Sequence, residues 1–404
     1  MQQTDYGKLL LRESLDRLRR RQLDVGLSAD GVWRNAPFAT HCEVLSTLTV
    51  LLGDLAITGN DALEPLGDAA KRMTLFVDAM LKSNGEPLPL DGTRGKSQAS
   101  TLSGARRVLA VIGARPSKGK PAKGMAANRI TETYVFRDAQ YFVSHSTPKV
   151  TPESSQVAFH AKAGSAAKGS TGGLLLAFAH GPSNLLLGLV SRRKELTGVS
   201  KPNFWNPALR NGYQMGVPDA EEKPGSPNSQ ARIVKSWRGP AWAAARGVES
   251  YVRAELTRTV IHLKALHALL IVDEIAGSDE AALEQFWHLA PSLVPPNDPE
   301  GLLCFGVPDD GFLMIAFDGQ PTVSMDRDAS SSCVRRTLRV GQGVAASLFQ
   351  WTASGTPATL SLLREERENW QVSISAAGAS LKISLMANEL QVEEIAPGTD
   401  NFEQ

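Results

Sequence analysis

The sequence predicts an α+β fold in which helices come first and a large antiparallel β-sandwich domain follows. Two observations carry this. Apolar spacing changes near residue 115, and a Gly-, Pro- and Lys-rich stretch, GARPSKGKPAKGMAAN, occupies 113–128 at the change. Before it, apolar residues recur three and four positions apart, which is the period of a helix. After it, they come in short runs divided by turn residues. The expected division is helical over 1–115, a linker over 116–128 and a β domain over 129–404. At 404 residues the chain is long enough for two such cores.

In order along the chain, Leu11, Leu15 and Leu18 share one face of a charged segment and predict a first helix. Val44, Leu45, Leu48, Leu51, Leu52 and Leu55 give a broader face, suited to a helix packed on several neighbours. Thr40-His41-Cys42-Glu43 reads S/T-x-x-E before that run and predicts a capping box at its start. A third helix is expected over 62–82, with Pro65 in its first turn and Asn84-Gly85 at its end. A fourth is expected from Ser97 to Ile112. Strands are expected at TYVFRD, YFVSHS, GLLLAFAH, NLLLGLV, HALLIVDEI, FLMIAFDG, VAASLFQW, WQVSISA and LKISLMA. HGPSN, AGSDE and PDDG supply turns between them, and the polar stretch 216–232 reads as an exposed loop.

Lys and Arg total 43 against 42 Asp and Glu, so overall charge points to neither nucleic acid nor an anionic membrane as partner. The basic clusters at 17–22 and 191–195 read as solvated faces. Three widely spaced cysteines, Cys42, Cys304 and Cys333, make neither a metal-like pair nor a disulfide framework. No apolar run reaches the ~20 residues of a membrane span. The N-terminus does not show a basic region followed by an apolar one, so no signal peptide is read there.

Three strings resemble the heparinase II/III-like polysaccharide lyases. They are GVWRNAPFATHCEVL at 31–45, KSNGEPLPLDG at 82–92 and RTVIHLKALHALLIVDEIAGSDEAALEQFWHLAP at 258–291. The resemblance implies a partial (α/α) toroid of helical hairpins followed by a β-sandwich, with the active site between them. It also implies β-elimination on an acidic, uronic-acid polysaccharide such as a glycosaminoglycan or alginate, and a place in the periplasm or cell envelope. No cofactor is expected, and structural calcium or zinc is left open. The family's upstream Asn-His motif is not contained in this chain. An incomplete toroid would expose apolar helix faces, so a homo-oligomer is expected.

By the same resemblance, His41, Asn35 and Tyr213 are the expected catalytic residues. Arg34, Trp205 and Arg210 are expected to hold substrate. Elimination requires that the sugar carboxylate be neutralised while a base takes the C5 proton, which is work for Asn, His and Arg donors. Thr40 falls where the family has a tyrosine, and no His-Asp cluster precedes the GLLLAFAH strand; His160 and His180, on either side of that place, could substitute but are expected to be structural. Those departures point to the alternative, a degenerate member that binds glycan or assists cell-envelope polysaccharide assembly. In the β domain, Arg258 and Asp273 are expected to tie neighbouring strands, and His288 to pack. A glycoside hydrolase would need two facing carboxyl groups; Asp30, Glu43, Asp54 and Asp91 offer no such pair by spacing.

Overall fold

The computed structural model describes residue 13 and residues 23–34, 36–58, 63–90, 97–113, 133–162, 173–187, 212–215, 230–250, 254–277, 283–294, 303–308, 311–319, 322–327, 332–338, 343–354, 358–366, 368–376 and 379–395. The helix expected around Leu11–Leu18, the linker from residue 114 on and the polar stretch up to residue 229 lie outside these. After one helical turn at Asp24–Gly26 come α1 (Phe38–Thr58), α2 (Leu63–Met80) and α3 (Ala99–Gly113). The last two agree with the periodicity to within two residues. α1 corrects one expectation. It begins at Phe38, and the Pro37 carbonyl accepts the first helical bond, from His41 N–H. Thr40 is therefore inside the helix, and the capping box does not form.

The strands, in chain order, are β1 (Thr133–Phe136), β2 (Tyr141–His145), β3 (Ser155–Lys162), β4 (Gly173–His180), β5 (Ser183–Leu186), β6 (Gly212–Met215), β7 (Gln230–Arg238), β8 (Trp242–Ser250), β9 (Ala254–Leu263) and β10 (Ala268–Gly277). There follow β11 (Leu283–Leu289), β12 (Leu303–Gly306), β13 (Phe312–Phe317), β14 (Thr322–Arg327), β15 (Ser332–Leu338), β16 (Val344–Thr352), β17 (Thr359–Glu366), β18 (Asn369–Ala376), β19 (Ala379–Met386) and β20 (Glu389–Ile395). They build three antiparallel sheets. The first runs β1-β2-β3-β4-β5-β11-β15-β14, with β6 also on β11; the second runs β12-β13-β16-β10-β9-β8-β7; the third runs β17-β18-β19-β20.

These sheets and the helices stack as four layers with three apolar cores between them. Leu45, Leu52, Met73 and Phe76 of the helices pack on Val143, Ala158, Leu175 and Ala177 of the first sheet. Its other face sends Phe142, Phe159, Leu176 and Phe178 against Val260, Leu269 and Ile271 of the second. The second sheet's far side meets Trp370, Val372 and Ile383 of the third. β4 is buried at every residue because it is covered on both faces, which is why GLLLAFAH lacks a polar alternation. Small side chains, Ala177 and Ala179, face the helices, and larger ones face the second sheet.

β8 has no strand signature, because four of the nine residues of WAAARGVES are alanine or glycine. Ala243 and Ala245 face one core and Ala244 the other. Gly247 is needed there for contact, since a Cβ would stand 2.7 Å from Phe159 and 2.8 Å from Leu174. Arg258 and Asp273 do tie their strands. They face each other across β9 and β10 in a fully buried two-point ion pair, 2.7 and 2.9 Å, and Gln285 donates to the same carboxylate. His288 is buried, as expected. No helix among the described residues is long and apolar enough to cross a membrane.

Candidate functional site

The helical layer crosses the first sheet along β2, from Tyr141 at one end to His145 at the other. Four steps of ~3.3 Å make that span about 13 Å. Each end collects histidines, with different partners.

At the Tyr141 end, the loop before α1 is clamped to the β1–β2 turn. The Asp30 carboxylate accepts the backbone N–H of Asp138 at 2.8 Å and of Ala139 at 3.4 Å. Ser28 also donates its hydroxyl to Asp30. Arg34 is anchored by its backbone N–H to the Gly26 carbonyl, 2.7 Å, and its side chain is exposed. His41 is 1% exposed. Its Nδ1 accepts the Trp33 N–H at 3.1 Å, and its Nε2 lies 3.2 Å from the Met73 carbonyl. A carbonyl only accepts, so Nε2 carries the proton and the ring is the neutral tautomer. Phe76 meets the ring edge-on at 4.9 Å, and Phe38 stacks beside it at 6.4 Å. Burial pushes the His41 pKa down to about 4, despite the favourable Met73 bond. The ring thus holds Trp33, the residue next to Arg34, and both of its nitrogens are engaged.

Beside this loop lies a pair that joins His160 to Tyr141, a partner the sequence did not indicate. Tyr141 and His160 face each other across β2 and β3, their rings parallel with centroids 3.6 Å apart. Both are half-buried. Burial, reinforced by the positive charge of Lys162, pushes the His160 pKa down to about 3, against a backbone bond to Ala139. His160 is therefore neutral at pH 7 and a weak proton acceptor. The end is completed by Gln140, whose Oε1 accepts the Ile233 N–H of β7 at 2.5 Å.

Of the other residues expected at the site, Tyr213 is placed by its backbone in β6, opposite Gln285 of β11. That is the same sheet, on the β11 side rather than beside β2. Asn35, Trp205 and Arg210 lie outside the described residues. The structure therefore brings Arg34 and His41 together in one loop-and-helix unit, and sets Tyr213 apart from them along the sheet. Among the described residues no group of three or more His, Cys, Asp or Glu is arranged to hold a metal ion.

At the His145 end the imidazoles are linked to one another. His262 of β9 lies between the two sheets, with Nδ1 2.9 Å from Ser144 Oγ and Nε2 2.8 Å from Ser155 Oγ. Ser155 Oγ also lies 3.3 Å from Nδ1 of His267, in the β9–β10 turn. His267 is half-buried and has left-handed backbone geometry, φ 46°. His180 stacks on Trp351 at 3.7 Å, with His267 edge-on at 5.1 Å. Burial lowers the pKa of His262 far below its ordinary value, and Lys264, His145 and His267 add to this. Burial, then His180, lowers that of His267.

The end of α2 is bonded into the same place. His145 Nε2 reaches the Ala79 carbonyl at 2.8 Å, and Gln156 donates to the Leu81 carbonyl at 2.9 Å. Lys82, with its side chain 1% exposed, donates to Glu86 at 3.1 Å and to the Pro182 carbonyl at 2.8 Å.

No family model and no curated protein matches the sequence. Among solved structures, the chain is similar to heparan sulfate lyase HepC from Pedobacter heparinus, with TM-score 0.66 and 10% identity over 95% of this chain and 61% of that one. It is also similar to a heparinase III gene product, in one structure with TM-score 0.70 and 10% identity, covering 97% and 62% of the two chains. In another the values are 0.69 and 11%, covering 97% and 63%. The chain thus spans less than two thirds of the length of the structures it matches. The fold is heparinase III-like, with a helical part on a β-sandwich, as the three strings implied.

Proposed function

We propose that this chain acts on an acidic, uronate-bearing polysaccharide by β-elimination, at the end where the loop before α1 meets the β1–β2 turn. The observation that carries this reading is the likeness in fold, over 95–97% of the chain, to structures described as heparan sulfate lyase and heparinase III. In the reaction a base takes the C5 proton, the C4–oxygen bond breaks, a C4=C5 double bond forms and the leaving oxygen is protonated. Arg34, an exposed cation, would neutralise the uronate carboxylate. Asn35, Trp205 and Arg210 are the further groups proposed from the sequence, and Tyr213, also proposed from it, stands apart on the β11 side. His41 serves by positioning, because both its nitrogens are bonded within the chain. The Tyr141–His160 pair supplies a phenol and an imidazole at the same end, where position 40 is threonine. A periplasmic or cell-envelope location and a homo-oligomeric state belong to the same proposal.

A second reading, glycan binding without turnover, is favoured by one observation. Both imidazoles at this end are neutral and desolvated, which makes them weak bases. One assay separates the two. A panel of uronate polysaccharides is incubated with the protein, and the ultraviolet absorbance of an unsaturated uronate is followed beside retention on the immobilised polymers. Growing absorbance supports elimination, and retention without it supports binding alone. If neither appears, both readings are overturned.

A further inference from the structure

The serine–imidazole chain at the His145 end plays no part in the reading above, and its hydrogen-bond arithmetic is restrictive. Ser144, His262, Ser155 and His267 form one line of contacts, at 2.9, 2.8 and 3.3 Å. With neutral rings the line can be satisfied in either direction, since each hydroxyl can donate one way and accept the other. One added proton is tolerated, because His262 as a cation can donate to both serines. A second is disfavoured by charge. Protonating His267 as well would set two cations on the one oxygen of Ser155, which has lone pairs for both N–H groups but sits where burial makes like charges costly.

The charged neighbours do not relieve this. Lys264 is buried on the same turn, His145 stands behind His262 on β2, and His180 lies against His267 from β4. From the helical side the loop after α2 brings Lys82, another buried cation. The carboxylate of Glu86 on that loop is already bonded to Lys82. The β2–β3 turn adds one exposed charge of each sign, Lys149 and Glu153. Trp351, from β16, is uncharged. Four imidazoles and two ammonium groups thus gather at the end of the helix–sheet contact where α2 and its following loop are bonded to the sandwich through His145, Gln156 and Lys82.

We propose that this end is an acid-sensitive latch: charging of the imidazole cluster releases the end of α2 and the 81–90 loop from the sandwich, while the sheets beyond remain folded. The amides that would report it are those of Lys82, Gly85 and Leu88, which are bonded within that loop and to Met80.

Hydrogen exchange of the full chain between pH 7 and pH 4, corrected for the intrinsic rate, tests the latch. The expected result is at least a tenfold loss of protection in peptides over 79–90 at a pH where peptides over 369–395 keep theirs. His145→Gln retains an N–H donor for the Ala79 carbonyl and cannot take a proton, so it should move that loss to lower pH. His267→Gln, at a half-buried turn position, is the second variant and should act in the same direction. Equal loss in the two regions, full protection down to pH 4, or no displacement in either folded variant would overturn the latch.

Discussion

The two ends of the helix–sheet contact use histidine in opposite ways. At the Tyr141 end each ring is settled on its own. His41 is bonded to two backbone groups and set among phenylalanines, and His160 is bonded to Ala139 and stacked on Tyr141. At the His145 end two rings share one serine oxygen, and two more crowd them. A ring bonded to backbone fixes a loop, whereas rings bonded to one hydroxyl are coupled through it. The partner, rather than burial, separates the two roles, because both groups are desolvated.

The largest expected effect comes from breaking the first kind. His41→Ala leaves the Trp33 N–H unpaired, removes the second bond to the Met73 carbonyl and opens a cavity in a filled core, and should cost about 3–4 kcal/mol in urea unfolding. A loss below about 1 kcal/mol would mean that the ring does not anchor the loop. Acid should act through the same residue. Its folded pKa of about 4 lies below the ordinary 6.5, so the unfolded chain takes the proton first. The His41 contribution is then full above pH 6.5 and is lost as the pH falls towards 4. At pH 4.5 that is about 2–3 kcal/mol, at 1.36 kcal/mol per unit. A His41→Gln variant should show a smaller fall between pH 7 and pH 4.5 than the parent, and an equal fall would refute the assignment.

Ser155→Ala tests the second kind, because it unlinks His262 from His267. Leaving buried imidazole nitrogens without a partner should cost about 1–3 kcal/mol. It should also remove any coupling between the two ring signals in an imidazole NMR titration. Independent titration in the parent protein would argue against a shared chain. The smallest effect on stability is expected at Arg34→Ala, within about 0.5 kcal/mol, since its side chain is exposed. Its binding to acidic polysaccharide should weaken by about threefold at low salt, a difference that should shrink as salt screens it. Unchanged binding would remove Arg34 from the proposed site.

Much of the fold was legible because covered strands advertise themselves. β4, β10 and β16 are buried on both faces, and their apolar runs needed no alternation to be found. β8 was silent, because alanines that let two sheets approach do not read as strand. The start of α1 was misread because Thr40 and Glu43 match a cap by spacing, while Pro37 opens the helix. The GVWRNAPFATHCEVL string singled out the loop on which the proposal rests, and the position of Arg34 follows from it. Its partners did not. Ser144 and Ser155 stand 118 and 107 positions from His262. Nothing local to YFVSH or SSQVAFH announces such contacts.

The Asp30 clamp has a consequence for connectivity. Together with the Ala79, Leu81 and Lys82 bonds and a common apolar core, it joins segments on either side of residues 114–132 without using the peptide bonds between them. Covalent continuity there is then dispensable for cohesion. A chain nicked within 114–132 should travel as one particle, and two separately made halves, 1–113 and 133–404, should recognise each other as a complementing pair.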